Sequence, residues 1–305
     1  MMRHHTNEVK QLVRYIQERF AVSPQEFLES IRLSPNSQGG IIGAITEYLL
    51  MKHLREQGFL VERIPEKWEG QKLHHGDFYV SKGYNQPAYI LESKGLKSNA
   101  EAFRLGGSKS SKRMISVHKL IRELRYYYDM LVEKESFPKN ASDQQKKEHL
   151  AKFIVSLFPN LKTDLSSLLD AKKNVEIDID ELTDKLRLLV SHFVSSKSSG
   201  SRKQNTPSKS EFHIVAVNLF IKIDEHKFIY APVTKLPQGK TPGHLKQNYL
   251  IGLAYRKNTD EKFQVCFDRR IWTESFSEVF SQISKASKGI PPEKKYVDKR
   301  AIPDR

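Results

Sequence analysis

The chain has 305 residues, enough for one large domain or two ordinary ones. Its 38% hydrophobic and 29% charged residues hold no apolar run near the ~20 residues that span a bilayer, and its single cysteine, Cys266, excludes an intrachain disulfide and a Cys-rich zinc centre. With 51 Lys+Arg against 36 Asp+Glu, the formal charge of +15 points to a polyanionic partner, nucleic acid first among them. The N-terminal residues form no apolar signal core, so a cytoplasmic location is expected.

Val9, Leu12, Val13, Ile16 and Phe20 recur at helical spacing and predict helix within 7–33. Ser23-Pro24-Gln25-Glu26 marks a second start there, with Ser23 as N-cap, Pro24 at the first position and Glu26 three residues after the cap. Residues 33–40 read as a loop. From Gly40 to about Gln57, Ile41, Ile42, Ile45, Leu49 and Leu54 make the stripe of an amphipathic helix that Gly58 stops. A strand at 59–64 follows, then a charged stretch, 65–75. Asp77-Phe78-Tyr79-Val80 opens another strand, 82–87 is a turn, and 88–94 is the next strand. The order is helix, strand, strand, strand: a small sheet with a helix on it.

Residues 96–113 are polar and basic, carrying Lys97, Arg104, Lys109, Lys112 and Arg113. A helix is predicted from about 114 to 134, with further helices at 143–158 and 181–194 and a short one at 165–169. The Ser- and Lys-rich tract 195–210 reads as a flexible linker or a ligand-ordered loop. Strands are predicted at 213–223, 227–234, 249–255 and 263–267, then a helix at 275–283 and a Pro-rich charged tail. The expected organisation is an N-terminal helical segment (1–38), a core (39–113), a helical insertion (114–194), the linker (195–210) and a strand-rich part (211–305). The last part completes the core or reads nucleic acid.

In a strand, residues i and i+2 face the same side, so Glu92 and Lys94 point together. A neighbouring strand can bring Asp77 beside them. Two carboxylates and a lysine at a sheet edge can hold a divalent metal and activate a water, the chemistry of phosphodiester hydrolysis. The Glu-x-Lys spacing alone says little, because Glu8-Val9-Lys10, Glu225-His226-Lys227 and Glu293-Lys294-Lys295 repeat it. Only Glu92-Ser93-Lys94 ends an apolar strand behind a strand that opens with aspartate. Taken singly, Asp77 is a turn residue after Gly76, and Glu92 with Lys94 is a solvated pair worth about 0–1 kcal/mol. Taken together they form a charge cluster of the kind that gathers at functional sites.

Glu47 in Gly43-Ala44-Ile45-Thr46-Glu47-Tyr48-Leu49, then Gly76-Asp77-Phe78, then Glu92-Ser93-Lys94, resembles the PD-(D/E)XK nuclease superfamily, and within it the type II restriction endonucleases. The resemblance covers about residues 39–95, with His75-Gly76 before Asp77 where the family name has proline. It implies an α/β fold, a central mixed β-sheet flanked by helices (a restriction-endonuclease-like core), with a helical insertion. It implies Mg²⁺-dependent, sequence-specific cleavage of double-stranded DNA by a homodimer. Asp77 and Glu92 would hold Mg²⁺, joined by the carbonyl of Ser93, and Lys94 would orient the attacking water and stabilise the developing charge. Glu47 would reach the metal through water or bind a second ion; its alternative is an exposed helix carboxylate. Lys97, Arg104, Lys109, Lys112 and Arg113 follow the catalytic strand and suit the DNA backbone, or else form a solvated basic loop. Asn248, Arg256, Lys257, Arg269 and Arg270 are candidates for reading base edges.

His74-His75 suit phosphate contact better than metal ligation. At least one ring of Tyr126-Tyr127-Tyr128 belongs to the core. No phosphate-binding G-x-x-x-x-G-K-[ST] loop occurs, so no nucleotide cofactor is expected. Two other functions fit the same residues: a structure-specific or repair nuclease of the same fold, and a non-enzymatic nucleic-acid-binding protein.

Overall fold

The computed structural model describes residues 2–65, 76–101, 116–161, 164–170, 175, 177–193 and 207–298. The chain forms two compact units, Met1–Leu49 and Leu50–Arg305. The expectations for His74, His75, Arg104, Lys109, Lys112 and Arg113, and for most of the 195–210 tract, lie outside the described residues.

The first unit holds α1 (Met2–Phe20), α2 (Pro24–Leu33) and the start of α3 (Pro35–Glu56). The capping box forms as its sequence predicts: Ser23 Oγ accepts the Glu26 N–H at 3.2 Å and Glu26 Oε2 accepts the Ser23 N–H at 2.7 Å. Phe20 stacks on Phe27 with centroids 5.0 Å apart, joining the first two helices. The loop predicted over 33–40 is largely helix. Pro35 supplies a ready-made first helical residue and Ser34 Oγ accepts the Ser37 N–H at 3.3 Å, so α3 starts five residues before Gly40 and carries Gly39 and Gly40 within it.

The second unit takes the last turns of α3, where Leu50 and Leu54 are fully buried. The helix ends as predicted, with Gly58 at φ +82 and the Phe59 N–H returning to Leu54 O at 3.1 Å. Then come β1 (Leu60–Arg63), β2 (Phe78–Ser81) and β3 (Tyr89–Lys94), paired antiparallel in sequence.

The predicted 114–134 helix is two, α4 (Val117–Arg125) and α5 (Tyr128–Glu135), broken at Tyr126-Tyr127. Next are α6 (Asp143–Leu157), α7 (Leu165–Leu169), α8 (Ile179–Lys185) and β4 (Leu186–Val190). The helix predicted over 181–194 therefore stops at Lys185. Leu188 and Val190 enter one core cluster and Leu189 the other, so β4 is buried on both faces. A run of leucines reads equally well as helix until partners on two sides require a strand.

β5 (Ile214–Asn218) lies parallel to β3, and β6 (Phe228–Pro232) lies antiparallel to β5. The strand predicted to reach Ile223 ends at Asn218, whose Oδ1 accepts the Phe220 N–H at 3.0 Å and turns the chain into α9 (Phe220–Ile223). β7 (Leu250–Tyr255), β8 (Gln264–Phe267) and α10 (Phe276–Ala286) complete the unit.

The described strands make two sheets: a mixed one, β1-β2-β3-β5-β6, and an antiparallel one, β4-β7-β8. One face of the mixed sheet meets α10, through Tyr89 on Phe280 (5.3 Å) and Tyr230 on Phe276 (5.2 Å). Its other face shares a buried cluster with the second sheet, including Ile90, Val215, Val217, Leu189 and Ile251. The second sheet in turn packs on α4 to α7 through Leu120, Leu150, Ile154 and Leu253. The protein is thus a mixed α/β fold with a mixed sheet and flanking helices. No helix among the described residues is long and apolar enough to cross a membrane.

Candidate active site

β3 runs from the core to the edge. Tyr89, Ile90 and Leu91 are buried, whereas Glu92, Ser93 and Lys94 are half-buried. Its last antiparallel partner is Phe78, opposite Leu91. One residue earlier, the Asp77 N–H donates to Leu91 O at 3.0 Å, and Asp77 Oδ2 accepts the Ser93 N–H at 2.7 Å. The carboxylate takes the role a strand carbonyl would play, which fixes Asp77 at the end of β3.

Gly76 makes this approach possible. Its φ is +122, and a Cβ there would lie 2.3 Å from Ile90 Cγ2 and 3.6 Å from Glu92 Oε2. The Glu92 carboxylate therefore lies against the Gly76 backbone, next door to Asp77. Across the parallel ladder, Glu92 and Lys94 sit opposite Val215 and Val217. The Lys94 ammonium pairs with Glu92 Oε1, with side chains 22% and 12% exposed. Glu92 and Lys94 pair, as two side chains on one strand face can, and Asp77 meets the following strand at Ser93.

Two carboxylates and an ammonium thus converge where β3 and β5 end side by side, the end at which open α/β sheets bind ligands. The donor set fits Mg²⁺, which takes one or two carboxylates and fills the remaining positions with water and phosphate oxygens. No group of three or more His, Cys, Asp or Glu that could hold a metal occurs among the described residues. Ser93 contributes its N–H to Asp77.

Glu47 is half-buried on α3 in the first unit, while Asp77, Glu92 and Lys94 belong to the second. Lys97 is half-buried, and its N–H donates to Val190 O at 3.0 Å. The base-reading candidates are engaged within the chain. Arg256 donates to Asp184 O at 2.7 Å, Lys257 pairs with Glu135 at 3.0 Å, and Arg269 pairs with Glu133 at 3.1 Å. Arg270 grips Asp268 with bonds of 2.9 and 2.8 Å, and Asn248 Oδ1 lies 3.2 Å from His192 Nδ1. That grip holds the Asp268 carboxyl below the usual carboxylate range. Of the tyrosine trio, Tyr127 and Tyr128 are core and Tyr126 is 71% exposed.

One polar cluster escaped sequence reasoning. Lys222 Nζ bonds Glu101 Oε2 at 2.7 Å, Glu101 Oε1 at 2.8 Å and Ser98 O at 2.8 Å, while Glu101 Oε1 also accepts the Leu188 N–H at 2.6 Å. The two side chains are 3% and 2% exposed. Burial lowers the Lys222 pKa, with the Glu101 charge opposing that shift. The pair ties the segment after β3 to the helical turn after β5 and to β4, bracing both strands that end at the site. The residues lie 121 apart and share no motif, so only the polar interruption of Phe220-Ile221-Lys222-Ile223 hinted at it.

Comparison with protein-family models, curated proteins and solved structures gave no match.

Proposed function

We propose that this protein is a Mg²⁺-dependent endonuclease that cleaves double-stranded DNA at a defined sequence as a homodimer. The observation that carries the reading is the Asp77 carboxylate seated on the Ser93 N–H, beside the Glu92–Lys94 pair. The order α3, β1, β2, β3, with Asp77 heading β2 and Glu92-x-Lys94 closing β3, supports the PD-(D/E)XK resemblance. The net charge of +15 suits a polyphosphate partner.

Asp77 and Glu92 would hold the metal, whose charge would neutralise the scissile phosphate and lower the pKa of a water. Lys94 points from the same face as Glu92, orients the attacking water and stabilises charge on the phosphoryl oxygens. Glu92 Oε1 keeps that ammonium in place through their ion pair. The Ser93 N–H holds Asp77 in one orientation, so the carboxylates need little reorganisation as charge develops. One site cuts one strand, so a two-fold dimer matches a palindromic target.

Digestion of a mapped plasmid with Mg²⁺ tests the reading. Discrete fragments are expected, with cleavage lost in Asp77→Ala and Lys94→Ala while DNA binding in Ca²⁺ persists. Cutting only of branched or damaged DNA would reassign the protein to structure-specific or repair nucleases. Absence of any nicking, or normal cutting by both variants, overturns the site.

A further inference from the structure

The first unit carries its apolar side chains on the surface rather than inside. Among its described side chains only Ile16 and Thr46 are buried, and α2 buries none. Eight of the twelve large hydrophobic side chains exposed among the described residues lie between Met1 and Leu49. On α1, Val9, Leu12 and Phe20 share a helical stripe with the buried Ile16, yet are 59%, 58% and 48% exposed. Leu28 on α2 and Tyr48 on α3 are 64% and 59% exposed. Helices in proteins draw most of their stability from burying such a face, and a unit this short has little interior of its own to offer. An apolar surface of this extent marks a site of interaction.

Charge and area identify the occupant. Residues 1–49 hold five Lys+Arg and five Glu with no Asp, so the whole formal charge of +15 belongs to the rest of the chain. Nucleic acid and anionic lipid gain no attraction from a neutral unit. Strongly basic bodies repel one another, so the neutral unit is where two copies approach at least cost. Arg14 with Glu18 and Arg32 with Glu29 close their charges within one helix, at 2.6 and 2.8 Å, and need no partner across a contact. The second unit offers no matching patch among the described residues: its exposed large hydrophobics, Tyr84, Tyr126, Ile221 and Tyr296, come from four separate segments. The surface that matches the stripe is the same stripe on another copy, as a two-fold contact requires. Its exposed side chains present on the order of 800 Å² per copy, what each partner brings to a standard interface. We propose that the N-terminal helical unit is the dimer contact of this protein, joining two copies through the exposed apolar faces of α1, α2 and the start of α3. The inference deepens the homodimer of the nuclease reading and rests on it for the number of copies. It uses none of Asp77, Glu92 or Lys94.

Sedimentation equilibrium of the full chain, without DNA or metal, tests it. A mass of twice 35.3 kDa is expected, with a Kd in the micromolar range or tighter. The dimer should hold between 0.1 and 1 M NaCl, because an apolar contact is not screened by salt. The double variant Leu12→Glu/Leu28→Glu should weaken dimerisation at least hundredfold with helical circular dichroism retained, since two-fold symmetry places each change in the contact twice. Tyr84→Ser, in the second unit, should leave the Kd unchanged. Hydrogen exchange of the parent chain needs no variant. From tenfold below the measured Kd to tenfold above it, amides of α1 and α2 should slow at least threefold while those of β3 and β5 stay constant. A dimer lost at 1 M NaCl, a dimer that the two leucine changes leave intact, a mass that keeps growing with concentration, or exchange in α1 and α2 that does not slow overturns the proposal. A monomer up to 100 µM also overturns it, and assigns the face to the chain's own second unit or to a different protein. A monomeric chain that still cuts plasmid DNA refutes this contact and keeps the nuclease, whereas a dimer that never nicks does the reverse.

Discussion

Replacing Glu101 by leucine removes the carboxylate that pairs with Lys222. The ammonium, 3% exposed, then keeps one of its three bonds, to Ser98 O, and the Leu188 N–H loses its acceptor. A buried charge stripped of its partner costs about 3–5 kcal/mol, a large share of the roughly 5–15 kcal/mol that holds a domain folded. The sign with pH follows from Lys222. Burial already lowers its pKa from 10.5, so the folded state disfavours the ammonium. The penalty is complete below the folded pKa and is relieved as pH rises through it toward the unfolded value. Urea unfolding followed by circular dichroism at pH 7.5 and 9.5 should therefore show Glu101→Leu about 3–5 kcal/mol below the parent at the lower pH and less at the higher. The double variant Glu101→Leu/Lys222→Met carries no stranded charge and should lie within about 2 kcal/mol of the parent, or above it. A single variant costing under about 1 kcal/mol, or a double variant as unstable as the sum of its singles, refutes this account of the pair.

Gly76→Ala forces a Cβ to 2.3 Å from Ile90 Cγ2 at φ +122, so about 2–4 kcal/mol of stability and at least tenfold in cleavage rate should be lost, read by denaturation and plasmid digestion. Asp77→Asn keeps an acceptor for the Ser93 N–H but loses its charge; cleavage and Mg²⁺ affinity should fall at an unchanged unfolding midpoint. Burial pushes the Cys266 thiol up to about 11 from an ordinary 9.0. The fold thus favours the neutral thiol, and its contribution, present below pH 9, should be lost toward pH 11 by at most about 2–3 kcal/mol. Cys266→Ala should flatten that part of the stability–pH curve measured between pH 8 and 11.

The local grammar of the chain was legible without coordinates. Ser23-Pro24-Gln25-Glu26 caps a helix, Gly58 ends one, and the apolar run before Glu92 is a strand, because backbone hydrogen bonds and side-chain alternation act over a few residues. The same short-range logic put Glu92 and Lys94 on one face, and the antiparallel return from β2 to β3 seated Asp77 against Ser93.

Where a segment's conformation depends on its neighbours, the sequence left two answers. Leu186–Val190 has the leucines of a helix, and becomes a strand because β7 supplies ladder partners and two clusters need its two faces. The 213–223 run is apolar throughout, and breaks at Asn218 because one side-chain oxygen captures the Phe220 N–H. Tertiary structure alone decided that β5 lies parallel to β3 and that Glu101 meets Lys222 across 121 residues. Each depends on which distant surfaces exclude water from one another, and no spacing along the chain encodes that.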